Sequence, residues 1–196
     1  MPPTTDEALI EAVRRCDDQV ASEIYDRLFG AIDQTLYRVI GQRGPDHDDL
    51  VQQAFEQVIT TLSRHAFARL CSLKTWASRV ATNVGLNALR SRRRERTVID
   101  RTWELDHDLE PSAGRDPQRA LDSRAQLAQV RTLLGEMKRD QVEVLLLHDV
   151  MGHDLAEIAL MLRVSMPAAQ SRLFRGRREL RRRLEECGLR PERGES

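Results

Sequence analysis

The sequence predicts an all-α protein made of two small helical domains joined by an acidic linker. Apolar residues recur at helical spacing along most of the 196 residues, whereas aromatic residues make up only 4%. Residues 97–117 lack helical periodicity and exceed the loop length expected inside one compact domain. We therefore predict domains at 1–96 and 118–187, the linker at 97–117, and a disordered tail at 188–196.

Charge is distributed unevenly along a chain whose formal net charge is zero. Two segments are rich in arginine, and the linker between them is acidic. Their arginines are Arg90, Arg92, Arg93, Arg94 and Arg96 in the first segment, and Arg172, Arg175, Arg177, Arg178, Arg181, Arg182 and Arg183 in the second. Such segments are typical of surfaces that bind nucleic-acid phosphates, although a solvated helix face has the same composition.

The first domain is predicted to begin with a helix near Glu7, with Asp6 as its N-cap, because short polar side chains accept hydrogen bonds from the free N–H groups there. A second helical pattern runs from Val20 to Val39. It ends at 41–45, where glycine and proline close together mark a turn.

The third helix is the clearest. Asp46 is a suitable N-cap, and Asp48 and Asp49 lie in the first turn, where the helix dipole favours negative charge. Its apolar positions are Leu50, Val51, Ala54, Phe55, Val58, Ile59 and Leu62. The opposite side, which we name the polar face, carries Asp49, Gln52, Gln53 and Glu56.

A loop at 63–71 separates this helix from a fourth one, for which Ser72 is a suitable N-cap. The fourth helix runs into the first arginine segment. Its expected buried stripe is Leu73, Trp76, Val80, Val84 and Ala88, and its expected open face is Arg79, Thr82, Asn83 and Asn87.

The second domain is predicted to open with two helices, the second of which ends at Gly152. Residues 154–182 then have the pattern of a helix-turn-helix, with Asp154 and Ser165 as N-caps and Pro167 in the first turn of the last helix. In that motif the second helix enters the DNA major groove, with its N-terminal side chains towards the base edges. These side chains would be Ala168, Ala169, Gln170, Ser171, Phe174 and Arg175.

The chemistry of these side chains suits DNA. Gln170 is suited to a bidentate contact with adenine, and Arg175 to one with guanine. Arg172, Arg175, Arg177 and Arg178 are suited to phosphates, which give affinity and register without sequence information.

The chain resembles the extracytoplasmic-function group of sigma-70 factors along nearly its whole length. Asp48-Asp49-Leu50-Val51-Gln52-Gln53-Ala54-Phe55 is similar to the family's D-D-L-V-Q-x-x-F segment. The stretch from Trp76 to Arg90 is similar to W-x-x-x-I-A-x-N-x-x-x-D-x-L-R. Glu157-Ile158-Ala159, Val164-Ser165 and Ser171-Arg172-Leu173-Phe174-Arg175-Gly176-Arg177 resemble E-I-A, V-S and S-R-L-x-R-A-R. Arg163 stands where many members have glycine, and Gln170 where a basic residue is common.

The resemblance implies an RNA polymerase sigma factor that directs promoter-specific initiation, in a stress or signal response. The polar face would bind the clamp helices of the largest subunit of polymerase core. Asn83 and the loop at 63–71 would capture unstacked bases of the minus-ten element. Arg90, Arg93 and Arg94 would hold phosphates beside them. The last helix would recognise the minus-thirty-five element through Gln170, Ser171, Arg172, Phe174, Arg175 and Arg178. An anti-sigma factor is a further partner that the resemblance implies.

Two other protein classes stay open from the residues alone. One is a helix-turn-helix regulator that acts without replacing a sigma factor, and the other is an anti-sigma or scaffold protein. The polar face and the first arginine segment argue against the former, and the C-terminal arginines against the latter. The sequence contains no G-x-G-x-x-G, G-x-x-x-x-G-K-[ST] or H-E-x-x-H motif, so we expect no enzyme activity, no cofactor and no metal.

Localisation is predicted to be cytoplasmic, without membrane contact. Cys16, Cys71 and Cys187 are odd in number and lack C-x-x-C spacing, which favours neither a disulfide framework nor a zinc site. The N-terminus lacks the form of a signal peptide, and no apolar run approaches the length of a membrane span.

Overall fold

A computed structural model of the protein describes residues 5–15, 18–99 and 117–189, with backbone alone at 18–21, 96–99 and 117–122. Within these ranges the chain is helical between its turns and loops, which confirms the predicted all-α class. The elements are α1 (Asp6–Arg14), α2 (Asp18–Ile40), α3 (His47–Ser63), α4 (Leu73–Ile99), α5 (Pro117–Glu136), α6 (Arg139–Leu145) with a π-helical turn (Leu146–Val150), α7 (Leu155–Leu162) and α8 (Met166–Glu186). None of these helices is long and apolar enough to cross a lipid bilayer.

Helices α1 to α4 enclose one apolar core. Trp76 is 9% exposed and contacts Phe67, with 4.9 Å between their ring centroids, so it lies in the core as its place on the apolar stripe predicts. The residues of this core that are fully or almost fully buried are Leu9, Ile10, Ile24, Leu28, Ile32, Leu36, Ala54, Val58, Leu62, Leu73, Ala77, Ala81 and Val84.

The start of α1 differs from the prediction. Thr5, rather than Asp6, is the N-cap, since its hydroxyl accepts a hydrogen bond from the Ala8 N–H at 3.3 Å. Asp6 lies inside the helix, and its carboxylate accepts from the N–H of Leu73 at 2.9 Å and pairs with Arg27 at 2.8 Å. Asp6 thus satisfies a free N–H at the start of α4, which no local pattern reveals.

Asp46 holds the N-cap position of α3 as predicted but makes no capping hydrogen bond. Both of its carboxylate oxygens accept instead from Arg92 Nη2 at 2.7 Å, and these bonds lower the pKa of Asp46. Ser72 behaves as predicted, because its hydroxyl accepts from the Thr75 N–H at 3.0 Å.

The second half contains the predicted helix-turn-helix. Gly152 has φ +80° and ends the element before it. The Asp154 carboxylate caps α7 by accepting from the Glu157 N–H at 2.7 Å, and the Ser165 hydroxyl caps α8 by accepting from the Ala168 N–H at 3.3 Å. Both predicted caps are confirmed.

The linker boundary differs slightly from the prediction. Helix α4 continues to Ile99, and α5 begins at Pro117, so both ends of the predicted linker are helical. Arginine and glutamate are good helix formers, which explains why α4 extends through the first arginine segment. Residues 100–116 and residues 190–196 of the predicted tail lie outside the described residues. Gly188 and Leu189, at the start of the predicted tail, are ordered by backbone hydrogen bonds to the carbonyls of Glu185 and Leu184.

The two halves pack against each other through α2 and α4. Val39 and Leu86 are 1% and 0% exposed, and both belong to the apolar cluster that α5 to α8 form. Leu147 and Ile158 are also fully buried in this cluster. The predicted domains therefore share an apolar contact on one side of α4.

Candidate polymerase and nucleic-acid interfaces

The polar face of α3 is open to solvent. Asp49, Gln52, Gln53 and Glu56 are all exposed. Gln52 Nε2 donates a hydrogen bond to Glu56 Oε1 at 3.1 Å, so two of the four side chains order each other. The four residues share one side of α3, and the apolar residues on the other side pack in the core of α1 to α4.

An aromatic groove lies beside the polar face. Tyr25 and Phe29 of α2 are 46% and 38% exposed. Tyr25 stacks on Phe55 of α3 with 4.8 Å between the ring centroids. The groove between the two helices has a volume of about 470 Å³, and Asp48 and Gln52 form part of its wall. Sequence reasoning treated Phe55 as core and did not identify the groove, although the i, i+4 spacing of Tyr25 and Phe29 could have indicated it.

The loop between α3 and α4 is anchored by a buried aromatic side chain. Phe67 is 7% exposed and anchors the loop on Trp76, whereas Leu70 is 46% exposed. His65 and Arg69 have φ values of +55° and +56°, a left-handed conformation that costs energy in residues other than glycine. The loop is therefore a fixed turn with an apolar side chain at its outer edge.

One residue of the predicted open face of α4 is fully buried, and two others, Arg79 and Asn83, are half-buried. Thr82 is fully buried, and its hydroxyl donates to the carbonyl oxygen of Ser78 at 2.9 Å. The prediction was wrong because a threonine that bonds its own helix in this way needs no solvent. Asn87 is exposed as predicted.

Asn83 and Arg79 face the second half of the chain. Glu143 Oε1 of α6 accepts hydrogen bonds from Arg79 Nε and from Asn83 Nδ2, both at 2.9 Å. Arg139 Nη2 donates to Asn83 Oδ1 at 3.0 Å, and Arg79 Nη1 donates to the Met161 carbonyl at 2.9 Å. Both ends of the Asn83 amide are thus occupied by side chains of α6.

Two residues of the first arginine segment also contact the second half of the chain. Arg90 Nη2 donates to the Met137 carbonyl just beyond α5 at 3.0 Å, and burial lowers the pKa of its guanidinium. Arg93 pairs with Glu136 at 3.0 Å. Arg94 is exposed. Two of the three arginines that the resemblance assigns to phosphates therefore hold the second half in place.

The turn between α7 and α8 contains Arg163 in a left-handed conformation, with φ 54° and ψ 46°. A glycine there would adopt this conformation without strain. The Arg163 guanidinium donates to the carbonyl of Ala66 in the α3–α4 loop at 3.4 Å. Arg163 thus adopts a strained backbone conformation, and its side chain contacts the first half of the chain.

The outer surface of α8 matches the predicted recognition surface at most positions. Gln170, Ser171, Phe174, Arg175 and Arg178 are exposed, Phe174 by 65%. Arg172 is half-buried and lies 3.6 Å from Asp140.

Ala169 was predicted to face bases, and this was wrong. It is fully buried in the cluster that also contains Leu173. In a helix of 3.6 residues per turn these two positions share one face, and that face packs on the core.

Further along α8 the arginines are neutralised within the protein. Arg177 pairs with Asp149, and Arg183 pairs with Glu136 at 2.6 Å. Arg182 and Arg183 both bind Glu179, which lowers the pKa of that carboxyl to about 2. Towards the C-terminus of α8 the arginines are therefore paired with acidic residues of the same chain. The candidate DNA surface lies nearer the N-terminus of the helix.

Two histidines of the second half, His148 and His153, have carboxylate partners. His148 Nδ1 lies 2.8 Å from Asp149, and His153 Nδ1 lies 3.4 Å from Glu157. Among the residues that the structure describes, no group of three His, Cys, Asp or Glu side chains is arranged to hold a metal ion.

Comparison with protein families gives two matches. Sigma-70 region 2 matches residues 24–95, which span most of α2 and continue to the arginine segment of α4. Sigma-70 region 4 matches residues 127–180, which include the helix-turn-helix. The chain belongs to the sigma-70 family. The two matches occur in the order that the sequence resemblance implies. The predicted membership of the sigma-70 family is therefore confirmed.

Curated relatives place this sigma factor in the extracytoplasmic-function group. It is 27% identical over 181 residues to the RNA polymerase sigma factor NccH of Alcaligenes xylosoxydans xylosoxydans, covering 91% of this chain and 94% of NccH. It is 27% identical over 167 residues to the ECF RNA polymerase sigma factor SigE of Mycolicibacterium smegmatis, covering 84% of this chain and 63% of SigE. The solved structure of CnrH in complex with the cytosolic domain of CnrY has a similar fold, with a TM-score of 0.53 and 22% identity over 92% of this chain and 97% of CnrH.

Proposed function

We propose that this sigma factor binds RNA polymerase core through the polar face of α3 and the aromatic groove beside it. The observation that carries the proposal is the open position of both features on one side of the first domain. Exposed aromatic side chains beside hydrogen-bonding groups are typical of protein interfaces. The partner on core would be the clamp helices of the largest subunit.

The proposed role of α4 is to hold the minus-ten element. Asn83 would bind the Watson–Crick edge of an unstacked base, with the fixed turn at 63–71 beside it. Arg90, Arg93 and Arg94 would bind the adjacent phosphates. This assignment is supported by the positions of Asn83 and the arginines, which lie along α4, the helix that follows the loop.

The proposed role of α8 is to recognise the minus-thirty-five element in the major groove. Gln170, Ser171, Phe174 and Arg175 lie exposed in its N-terminal half, where a helix-turn-helix contacts base edges. Arg172 and Arg178 would contact phosphates. Phe174, at 65% exposure, is suited to an apolar contact with a thymine methyl.

An anti-sigma factor is a further proposed partner. Support comes from the related fold of CnrH, which was solved with the cytosolic domain of CnrY. The proposal predicts that a protein co-purifies with the sigma factor from its native host and lowers its affinity for core.

The experiment that tests the proposed function is a pull-down of the purified chain with bacterial polymerase core, followed by run-off transcription on a promoter library. We expect stable binding and initiation from sites that share a two-element motif. Failure to bind core, together with binding of duplex DNA by the protein alone, would favour a helix-turn-helix regulator instead.

A further inference from the structure

We propose that a cavity between the two halves of the chain binds a small organic anion, a carboxylate or phosphate ester with an apolar body. We name it the junction cavity. It lies between the α3–α4 loop and α4 on one side and α6 and α7 on the other, and its volume is about 470 Å³. Cavities of this size are typical of sites for small ligands. The inference concerns a ligand other than DNA and does not rest on the proposed function.

Part of the lining of the junction cavity is apolar. Leu70 of the α3–α4 loop and Leu160 of α7 line it, and these side chains are 46% and 49% exposed. Phe67 and Trp76, which contact each other, also line it. Water gains little at such a surface, whereas an apolar group that covers the two leucines removes them from water. The lining therefore favours a ligand with an apolar body.

The charged part of the lining is cationic. Arg79, Arg139 and Arg163 line the junction cavity, and no aspartate or glutamate is among the described residues that line it. Glu143 pairs with Arg79 at 2.9 Å and neutralises that cation from outside the lining. Arg139 and Arg163 have no carboxylate partner in the part of the chain that the structure describes. Two uncompensated guanidinium groups in one cavity favour an anionic ligand.

Both of these guanidinium groups are positioned by single hydrogen bonds to neutral groups. Arg163 Nη2 donates to the carbonyl of Ala66 at 3.4 Å, and Arg139 Nη2 donates to Asn83 Oδ1 at 3.0 Å. Among the contacts described, these bonds use one nitrogen of each guanidinium, so further N–H donors are left for a ligand. The Arg163 side chain extends from a backbone with φ 54°, a conformation that costs energy in an arginine. Strain of this kind is common where a side chain serves a ligand site.

The two kinds of lining together define the class of ligand. An inorganic anion would pair with the arginines and leave the leucines in water. A neutral apolar molecule would cover the leucines and leave the two cations without a partner. Only a molecule that carries both an anionic group and an apolar body satisfies the whole lining.

Binding is measured with the full chain and the fluorescent probe anilinonaphthalene sulfonate, an aromatic anion that becomes bright when it leaves water. We expect saturable binding at one site. Naphthoate and naphthyl phosphate, which represent the two kinds of anion, should displace the probe. Naphthol and inorganic phosphate at the same concentration should not. Equal displacement by naphthol or by inorganic phosphate would show that one half of the lining is sufficient and would overturn the proposed class of ligand.

Cys71 reports whether the ligand lies in the junction cavity. Its thiol lines the cavity and is half-buried, whereas Cys187 is exposed at the end of α8 and serves as the internal control. Both are alkylated with iodoacetamide, and the rates are measured by peptide mass spectrometry. Naphthoate at ten times its Kd should slow the alkylation of Cys71 about tenfold, because about one molecule in ten is then free of ligand. Saturable fluorescence without protection of Cys71 would place the probe elsewhere, for example in the aromatic groove, and would overturn the site.

Arg163→Gly separates ligand binding from folding. Glycine adopts the left-handed conformation without strain, so the variant should remain folded in urea unfolding curves. Its Kd for the probe should rise about tenfold through loss of a charge-assisted hydrogen bond. Arg139→Gln should give a similar rise without changing the turn. Arg181→Gln is the matched control, because Arg181 is an exposed arginine of α8 outside the cavity lining.

Two outcomes of these variants would contradict the site. An equal rise in Kd in Arg181→Gln would reduce the effect to net charge. An unchanged Kd in both cavity variants would show that the arginines do not bind the anion. A selective rise in the two cavity variants, together with protection of Cys71, supports the proposal. Core binding by the wild type is measured separately, so the proposed function stands or falls independently of these results.

Discussion

Asn83 of α4 and Glu143 of α6 lie 60 positions apart and are joined by a hydrogen bond of 2.9 Å from the Asn83 amide to the carboxylate. The side chain that the family resemblance assigns to an unpaired base is thus held by the second half of the same chain. For this reason, the role of Asn83 in promoter opening has to be measured in the polymerase-bound protein.

Replacing Asn83 with alanine should weaken promoter opening by polymerase that carries this sigma factor. Loss of one hydrogen bond of about 0.5–1.5 kcal/mol corresponds to a reduction of up to roughly tenfold. Permanganate reactivity of unpaired thymines around the minus-ten element measures the effect. Asn87→Ala is the matched control, because Asn87 is exposed one turn along the same helix. Equal opening by both variants would remove the base-capture role from Asn83.

Changing the polar face should weaken binding to core. Gln53→Ala combined with Glu56→Arg removes hydrogen-bonding groups and reverses one charge on a solvent-exposed surface, so the fold should persist. We expect at least a tenfold rise in Kd for core, or about 1.4 kcal/mol. Glu185→Arg is the control, since it reverses an exposed charge in the last turn of α8, where a cation is tolerated. Unchanged core affinity in the double variant would contradict the assignment of the polar face.

Replacing Arg175 with alanine should weaken promoter binding by about 1–3 kcal/mol, the range for losing a bidentate base contact. Core affinity should not change. Arg182→Ala is the control on the same helix, because Arg182 is engaged by Glu179 and Glu186 and lies beyond the proposed DNA surface. Equal loss of promoter and core binding in Arg175→Ala would indicate misfolding instead.

Two glycines should respond in opposite directions to larger side chains. A Cβ on Gly176 of α8 would lie 3.0 Å from the Gln141 carbonyl oxygen, so Gly176→Leu should destabilise the fold by about 1–3 kcal/mol through overpacking. Gly30 of α2 has nothing within 4 Å of an added Cβ, so Gly30→Ala should stabilise it by about 1 kcal/mol. Urea unfolding followed by circular dichroism measures both. Destabilisation by Gly30→Ala would show that the surface around Gly30 is more crowded than described.

Stability should depend on pH through Asp33. Arg43, and to a lesser degree His47, donate to its carboxylate, and these bonds hold the pKa of Asp33 below the usual 3.8. The folded pKa is depressed, so the stabilisation is complete above about pH 4 and is lost as the pH falls through the folded pKa. Asp33→Asn should therefore lower the free energy of unfolding at pH 7 by about 1 kcal/mol.

The difference between wild type and Asp33→Asn should shrink towards pH 2.5 in urea unfolding curves. Arg43→Gln provides a second variant, because it removes the largest cause of the depressed pKa and should flatten the same part of the profile. A constant difference across the whole pH range would contradict this account.

Much of the local structure was predictable because its causes are local. Helical periodicity located the helices, and Ser72, Asp154 and Ser165 were identified as caps because each accepts from an N–H three positions away. Asp6 and Asp46 were predicted as caps but make no capping hydrogen bond, because their carboxylates bind Leu73 and Arg92 far along the chain. A single-sequence pattern contains no information about such partners.

The sequence by itself determined the helices, the polar face, the helix-turn-helix and the family, because periodicity, capping and motif order are properties of neighbouring residues. Only the tertiary structure decided what covers each face. Ala169 and Thr82 are buried, the aromatic groove is open, and Asn83 contacts Glu143. These outcomes depend on how whole helices pack, as α8 does on α6 and α7, and α4 on α5 and α6. The free energy of that packing comes from residues that are distant in sequence.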